Sequence, residues 1–365
     1  MARYLPEPAY THGSPARLGV LLVNLGTPEA PTPKAVRRYL REFLSDPRVI
    51  ELPRLLWWPI LNGIILPFRS PRSAAKYASI WQKEGSPLRV ETERQTRLLR
   101  GYFTAAGHPD MRVEFAMRYG QPDLMSALQK LKTAQCSKIL LVPMYPQYSA
   151  STTGSVLDAL ARAIQQVRNL PEMRWVRNFH DDPGYIRALA NSVREHWRRE
   201  GEPEKLVMSF HGLPRASLKK GDPYHCECHK TGRLLAAELG LEESRYLITF
   251  QSRFGRAEWL QPYTEPSLQA MARQGVKKVD VICPGFVADC IETLEEIAME
   301  CKTAFLSAGG KEFGYIPCLN QRDDFINALR DIACRHMGDW LAAPARSPAE
   351  LATSAARARQ LGAPE

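Results

Sequence analysis

Short apolar, β-branched runs alternate with stretches of helical periodicity along most of the chain. That alternation predicts an α/β architecture with parallel strands joined by helical crossovers. Strands are expected over residues 18–23, 112–117, 138–144 and 174–179, and again over 205–210, 246–251, 277–283 and 313–317. The two sets echo each other. Asn24-Leu25-Gly26-Thr27-Pro28 closes one strand as Phe210-His211-Gly212-Leu213-Pro214 closes another. Arg118-Tyr119-Gly120 parallels Arg253-Phe254-Gly255, Val142-Pro143-Met144-Tyr145 parallels Cys283-Pro284-Gly285-Phe286, and Asn178 parallels Asn320. The last three correspondences keep a nearly constant offset, so an internal duplication is expected.

The halves differ in one place. Gly26 and Gly120 are much further apart than Gly212 and Gly255, which places an insertion at about 34–87 of the first half. It carries the apolar stretch 55–68, LLWWPILNGIILPF. That stretch is interrupted by prolines and is shorter than the roughly 20 residues a membrane span needs. Loops of this kind leave an open α/β sheet at the carboxyl ends of its strands, where ligands bind. Three readings stay open: a lip over an apolar pocket, a membrane-facing patch, or a helix buried on its own domain. The expected organisation is an arm over 1–16, a first domain over 17–180, a second over 181–337 and an Ala-rich tail over 338–365. Within the tail, Ser347-Pro348-Ala349-Glu350 reads as a capping box that starts a short helix.

Composition adds bounds. With 365 residues, 44% of them apolar and 24% charged, the chain is neither disordered, nor collagen-like, nor a polytopic membrane protein. The net charge of +10 suits anionic lipid or carboxylate substrates. No run of five Lys or Arg is present, and no nucleic-acid partner is expected. The N-terminal residues lack the apolar core of a secretory signal. Eight cysteines in so long a chain then suggest reduced thiols and a cytoplasmic location.

Candidate chemistry concentrates at strand ends. His211 follows a predicted strand, where an imidazole can accept a proton or ligate a metal; a strand-end histidine is equally at home as a structural residue. Glu292, Glu296 and Glu300 recur every fourth residue with Asp289 one turn earlier, which predicts an acidic stripe along one helix. Such a row suits divalent cations or proton transfer, and also an ordinary solvated face. His225-Cys226-Glu227-Cys228-His229 offers several metal-binding groups, without the second distant pair of a structural zinc site. The polar loop from Tyr145 to Gly154 could present helix N-terminal amides to a carboxylate or phosphate, or serve only as a cap. No Walker A or dinucleotide fingerprint occurs.

Taken in order, Asn24–Pro28, Tyr145–Gly154, Ser209–Pro214, Gly221-Asp222-Pro223-Tyr224, Phe250–Gly255 and Asp289–Glu296 resemble the ferrochelatases. The resemblance runs from about Leu18 to Met337. It implies two similar Rossmann-like domains with a cleft between them, and a lyase that inserts Fe(II) into protoporphyrin IX to give protohaem, releasing two protons. Matched by motif, His211 and Glu292 are the iron-site pair, and Glu296 joins them as a catalytic residue. Asp289, Glu296 and Glu300 form an acidic path. Leu25, Tyr77, Ser86, Arg118, Tyr119 and Trp259 fall where the family lines its porphyrin pocket, and 55–68 matches the lip at the pocket mouth.

Three departures from patterns found in the family bear on substrate, ligation and cofactor. Leu25 stands where coproporphyrin-using relatives carry Tyr, which favours protoporphyrin IX. Cys290 stands where some relatives carry His. Cys318 and Cys334 are too few for the four thiolates of a 2Fe–2S cluster, so no cluster and no tightly bound cofactor are expected, with iron as substrate. A monomer is favoured, with peripheral membrane contact through 55–68.

Overall fold

The structure, a computed structural model, describes residues 4–255, 257–342 and 346–363. Two four-stranded, wholly parallel sheets form its frame. The first contains β1 (Arg17–Gly26), β2 (Arg112–Tyr119), β3 (Cys136–Pro143) and β4 (Glu172–Trp175) in the order β2-β1-β3-β4. The second contains β5 (Lys205–His211), β6 (Tyr246–Gln251), β7 (Lys278–Ile282) and β8 (Glu312–Ile316) in the order β6-β5-β7-β8. The identical order establishes the duplication that the motifs predicted. The central strands are continuous apolar runs because both faces are covered: Val20 to Val23 in β1 are wholly buried, as are Val207, Met208 and Phe210 in β5.

All eight expected strands form, with shifted ends. β4 stops at Trp175, not at 179, because Asn178 turns out of the sheet and its amide donates to Glu227. β5 extends to include His211. The glycine motifs have a shared physical cause. A Cβ on Gly26, at φ +111°, would lie 1.8 Å from the Tyr119 carbonyl oxygen, and one on Gly212 would lie 2.7 Å from that of Gln251. In both domains the neighbouring strands close up at their carboxyl ends, and only glycine fits.

The insertion after β1 is helical: α1 (Pro33–Leu44), α2 (Arg54–Ile60), a π-helical turn (Leu61–Ile65) and α3 (Leu66–Ile80). Tyr39, Leu40, Leu44, Trp57, Leu61, Leu66 and Tyr77 give it a core of its own, and the Trp57 indole N–H is anchored on the Leu44 carbonyl at 2.7 Å. The opposite face is not covered. Leu55 is 91% exposed and Phe68 68%, with Leu52, Leu56, Trp58, Ile60 and Ile64 also at the surface. Burial of the whole stretch on its own domain is thereby corrected: the insertion is amphipathic, with one apolar face outward.

The crossovers supply α4 (Pro87–Ala105), α5 (Leu124–Thr133), α6 (Ser155–Ile164), α7 (Pro183–Glu200), α8 (Arg215–Lys219), α9 (Tyr224–Leu239), α10 (Thr264–Arg273), α11 (Lys302–Ser307) and α12 (Asp323–Met337). One apolar core runs from the first sheet through α4, α7 and α12 to the second, including Leu99, Phe103, Leu189, Phe210 and Leu329. It fixes the domains against each other. Beyond the short α13 (Asp339–Ala342), the tail contains α14 (Pro348–Gln360), which starts with the expected capping box between Ser347 and Glu350.

Candidate functional site

The site grows from the carboxyl end of β5. His211 is its last residue, paired in register with Gln251 at the end of β6. The loops that follow the two strands bridge to each other: the Leu260 N–H donates to Leu213, the Arg215 N–H to Glu258, and Trp259 packs against Gly212. A ring nitrogen of His211, Nδ1, lies 2.7 Å from the Gly212 carbonyl oxygen. A carbonyl only accepts, so Nδ1 carries a proton, and Nε2 is the ring nitrogen left for other partners. The Phe286 ring stands 6.5 Å away and gives the imidazole an apolar neighbour.

The acidic segment departs from expectation. Glu292–Cys301 is wound as a π-helix, not an α-helix, and continues into α11. With more than four residues per turn, every fourth residue falls short of a full rotation, and a straight stripe becomes a sheared one. The four acids accordingly have different surroundings. Asp289 is buried and saturated: its carboxylate accepts from Tyr315, Thr293, the Cys318 N–H and Asn320. Glu296 accepts from the Ser252 N–H at 2.7 Å and from the Ser252 hydroxyl, with Ser252 held in the left-handed region at φ +65°. Burial pushes the Glu296 carboxyl above its ordinary range, against the pull of Ser252 and of the nearby His211, and the Glu292 charge pushes the same way. Glu300 lies outward and shares the Lys76 ammonium of α3 with Glu295, at 2.7 and 2.9 Å.

Glu292 faces the insertion. Its charge, second to burial, lifts the Tyr77 hydroxyl well above its ordinary pKa, and it partly offsets the burial that lowers Arg69. The Gln251 amide ties the Glu292 carbonyl at 2.7 Å to the strand end beside His211. His211, Glu292 and Glu296 are therefore neighbours at one end of the second sheet, facing the first domain.

The remaining candidates from the sequence divide. Leu25 packs with Leu88, Ala288, Cys290 and Phe286, where the first domain meets the acidic loop. Tyr77 is buried edge-on between Tyr39 and Trp81. Ser86 is buried and accepts from Thr27 at 2.8 Å. Trp259 is 9% exposed, and its indole N–H has no hydrogen-bond partner among the described residues. Arg118 and Tyr119 are turned inward. Asp46 receives both, Arg118 through Nη2 at 2.5 Å and Tyr119 through its hydroxyl at 2.9 Å, and Ser155 donates to the same oxygen at 2.6 Å. Burial alone would raise the Asp46 carboxyl; these bonds and the Arg118 charge hold it below its ordinary range. Tyr119 has no exposed surface.

Sequence reasoning missed several residues here. Asp46 is one, because its partner lies 72 residues away. Arg69 is another: its guanidinium sits 4.7 Å over the Phe254 ring and has no carboxylate partner among the described residues. For Asp222 and Glu227, named above within their motifs, only the role was missed. The Ala150 N–H donates to Asp222 at 2.8 Å and the Tyr148 N–H to Glu227 at 2.6 Å. Of the two readings left open for the 145–154 loop, a ligand cradle or a cap, these contacts favour the cap: its amides are engaged by carboxylates of the second domain, which clamps the domains together. The motif Gly221–Tyr224 carried that signal without its meaning.

Chemically, the arrangement offers an imidazole nitrogen, two adjacent carboxyls and the Arg69 guanidinium over the Phe254 ring. Among the described residues, no three His, Cys, Asp or Glu side chains form a metal-ligand set. All eight thiols are free, with Cys318 buried and Cys334 partly so. Among the described residues no helix is long and apolar enough to cross a membrane.

Comparison with known proteins gives this geometry a family. The ferrochelatase family profile matches residues 17–337, from the first residue of β1 to the last of α12. The chain is 63% identical over 363 residues to a ferrochelatase of Aromatoleum aromaticum and 61% identical over 365 residues to one of Azoarcus sp. strain BH72, with full coverage of both partners. Among solved structures, the multi-domain protein DR2241 of Deinococcus radiodurans, described as similar to chelatases, aligns with a TM-score of 0.50 at 12% identity. It covers 87% of this chain and 55% of that one, a likeness of fold alone. The profile match over residues 17–337, together with identities of 63% and 61% along the full length of these relatives, makes the chain a member of the ferrochelatase family.

Proposed function

We propose that the protein is a ferro-lyase that inserts Fe(II) into protoporphyrin IX, forming protohaem and releasing two protons. The observation that carries the reading is the His211 imidazole at the end of β5, held through Nδ1 on the Gly212 carbonyl at 2.7 Å. That bond leaves Nε2 as the available ring nitrogen, and Glu296 is close enough to feel the charge of His211 and of Glu292.

Metal entry requires both pyrrole N–H protons to leave. His211 Nε2 accepts a proton from the macrocycle, and an imidazole is suited to this near neutral pH. Glu296, whose affinity for protons is raised by burial, takes it onward. Glu292 would hold the iron with His211 while Nε2 is unprotonated; as the iron passes to the porphyrin nitrogens Nε2 is freed to take one pyrrole proton, and once Glu296 has relayed it Nε2 takes the second. Iron is handled as a transient substrate, and the reaction calls for no resident cofactor or cluster. Binding of the large apolar disc supplies the energy that bends it and exposes its nitrogen lone pairs. Arg69 is better placed than Arg118 to meet a propionate, since Arg118 is already neutralised by Asp46. Leu25 gives a hydrocarbon wall, in keeping with protoporphyrin IX over coproporphyrin III.

The outward apolar face of α2 and α3, flanked by the exposed Arg54 and Arg72, supports peripheral contact with an anionic membrane surface by a cytoplasmic monomer. Nucleic acid plays no part in this reading.

The test is anaerobic incubation of catalytic enzyme with Fe(II) and each porphyrin. Many equivalents of haem, formed faster from protoporphyrin IX, are expected. One equivalent of bound porphyrin or metal without turnover would replace the enzyme by a carrier. Faster turnover of coproporphyrin III would overturn the Leu25 assignment.

A further inference from the structure

The cluster His225 to His229 takes no part in the proposed reaction, and the structure sorts its five side chains. Cys228 is fully buried in the core that joins the two domains. Glu227 is engaged by the Tyr148 N–H, Asn178 and Arg177. Cys226 is exposed. The two histidines remain, and they are one turn apart on α9, so they share a face. Their rings are 4.4 Å apart between centroids, and both lie against Phe250 of β6, at 5.8 and 6.0 Å.

Two further observations concern what that face meets. His229 Nε2 is buried and has no hydrogen-bond partner among the described residues. A buried ring nitrogen left unpaired is unfavourable, and a metal ion or an ordered water relieves it. His225 also lines a cavity of about 470 Å³, walled by Trp259, Leu218, Arg215 and Glu258. At about 30 Å³ per water, that space holds a hydrated ion with room to spare. Two histidines four apart on one helix face are a recurrent chelating pair for first-row divalent metals, whose affinity for imidazole is high.

We propose that His225 and His229 form a second metal site, outside the His211 centre, which takes one divalent first-row transition-metal ion with water in its other positions. Two protein ligands make an exchangeable site, not a structural one. Its cavity shares Trp259 with the candidate active site, whose Gly212 packs against the same indole. The ion would sit behind the loop that carries the catalytic histidine.

The experiment is titration of the full-length protein with Co(II), following its visible absorption bands and the bound metal after gel filtration. The background is His211→Ala with Glu292→Gln, so that the proposed iron centre does not contribute. One equivalent of bound cobalt is expected there, and it should be lost on adding His225→Gln and His229→Gln. Cys226→Ser should leave it in place. A background protein that binds no cobalt, or that keeps its equivalent without both histidines, overturns the proposal. If the doubly substituted helix proves unstable, His225→Gln alone must lower the affinity at least tenfold; unchanged affinity likewise overturns it. With His211 and Glu292 intact, His225→Gln/His229→Gln should retain chelatase turnover. This separates a failure here from a failure of the proposed reaction.

Discussion

Replacing His211 with asparagine separates its base chemistry from its structural role. The imidazole makes one fixed bond, Nδ1–H to the Gly212 carbonyl at 2.7 Å, and leaves Nε2 free. A carboxamide can place an N–H where Nδ1 lies but has nothing at Nε2. His211→Ala removes both groups. Loss of a positioned general base lowers turnover by about 10²- to 10⁴-fold, or roughly 2.7 to 5.4 kcal/mol of transition-state stabilisation. Loss of the hydrogen bond to Gly212 costs only about 1 kcal/mol of folding stability. The two variants should therefore be equally inactive, while the asparagine protein keeps the denaturation midpoint that the alanine protein loses. Anaerobic haem formation under single-turnover conditions, together with urea denaturation, gives both quantities. An asparagine variant within about threefold of the parent rate would refute the reasoning, because the base would then be another group.

Other consequences follow from neighbouring residues. In Glu296→Gln, activity should fall while stability at neutral pH rises, since burial raises the folded pKa of this carboxyl. A raised pKa gives stability below the unfolded value that is lost as pH rises through the folded one, so the variant's advantage should vanish below about pH 4.3 in paired urea titrations; a variant less stable at pH 7 contradicts this. Asp46→Asn leaves the Arg118 charge buried without its partner and should destabilise by about 3–5 kcal/mol at pH 7. Because the Asp46 pKa is depressed, the parent's advantage should shrink as pH falls below about 3.9 through the lower folded value; equal denaturation midpoints at neutral pH would count against the network. Gly212→Ala sets a Cβ 2.7 Å from the Gln251 carbonyl and 3.1 Å from the Trp259 ring, and should cost about 1–3 kcal/mol and displace His211, read as a lower melting temperature with a lower kcat. Leu55→Ser with Phe68→Ser should abolish co-sedimentation with anionic vesicles and leave turnover in detergent unchanged; unaltered vesicle binding would assign the exposed face another role.

The chain order of this fold is local information. Apolar runs of strand length separated by helical periodicity specify eight parallel strands, and the close approach of backbones at Gly26 and Gly212 makes the duplication visible as a repeated glycine motif. The same holds for His211, because a histidine directly after a buried strand must stand at the sheet's carboxyl end. The sequence also located the insertion, through the unequal spacing of the two halves.

Other features depend on which distant segments meet. Arg118 carries the same motif whether its guanidinium faces a ligand or Asp46, and only packing of the insertion against β2 selects the second. The even spacing of Glu292, Glu296 and Glu300 describes a stripe only for 3.6 residues per turn, and the π-winding that shears it comes with contacts to Gln251, Ser252 and Lys76 from elsewhere in the chain. Whether the apolar insertion was covered could not be read from its composition, since a buried helix and an exposed lip need the same residues. Periodicity and backbone sterics act within a few residues, and so are written in the sequence. Burial and charge pairing act across tens or hundreds of residues, and exist only once the chain has closed on itself.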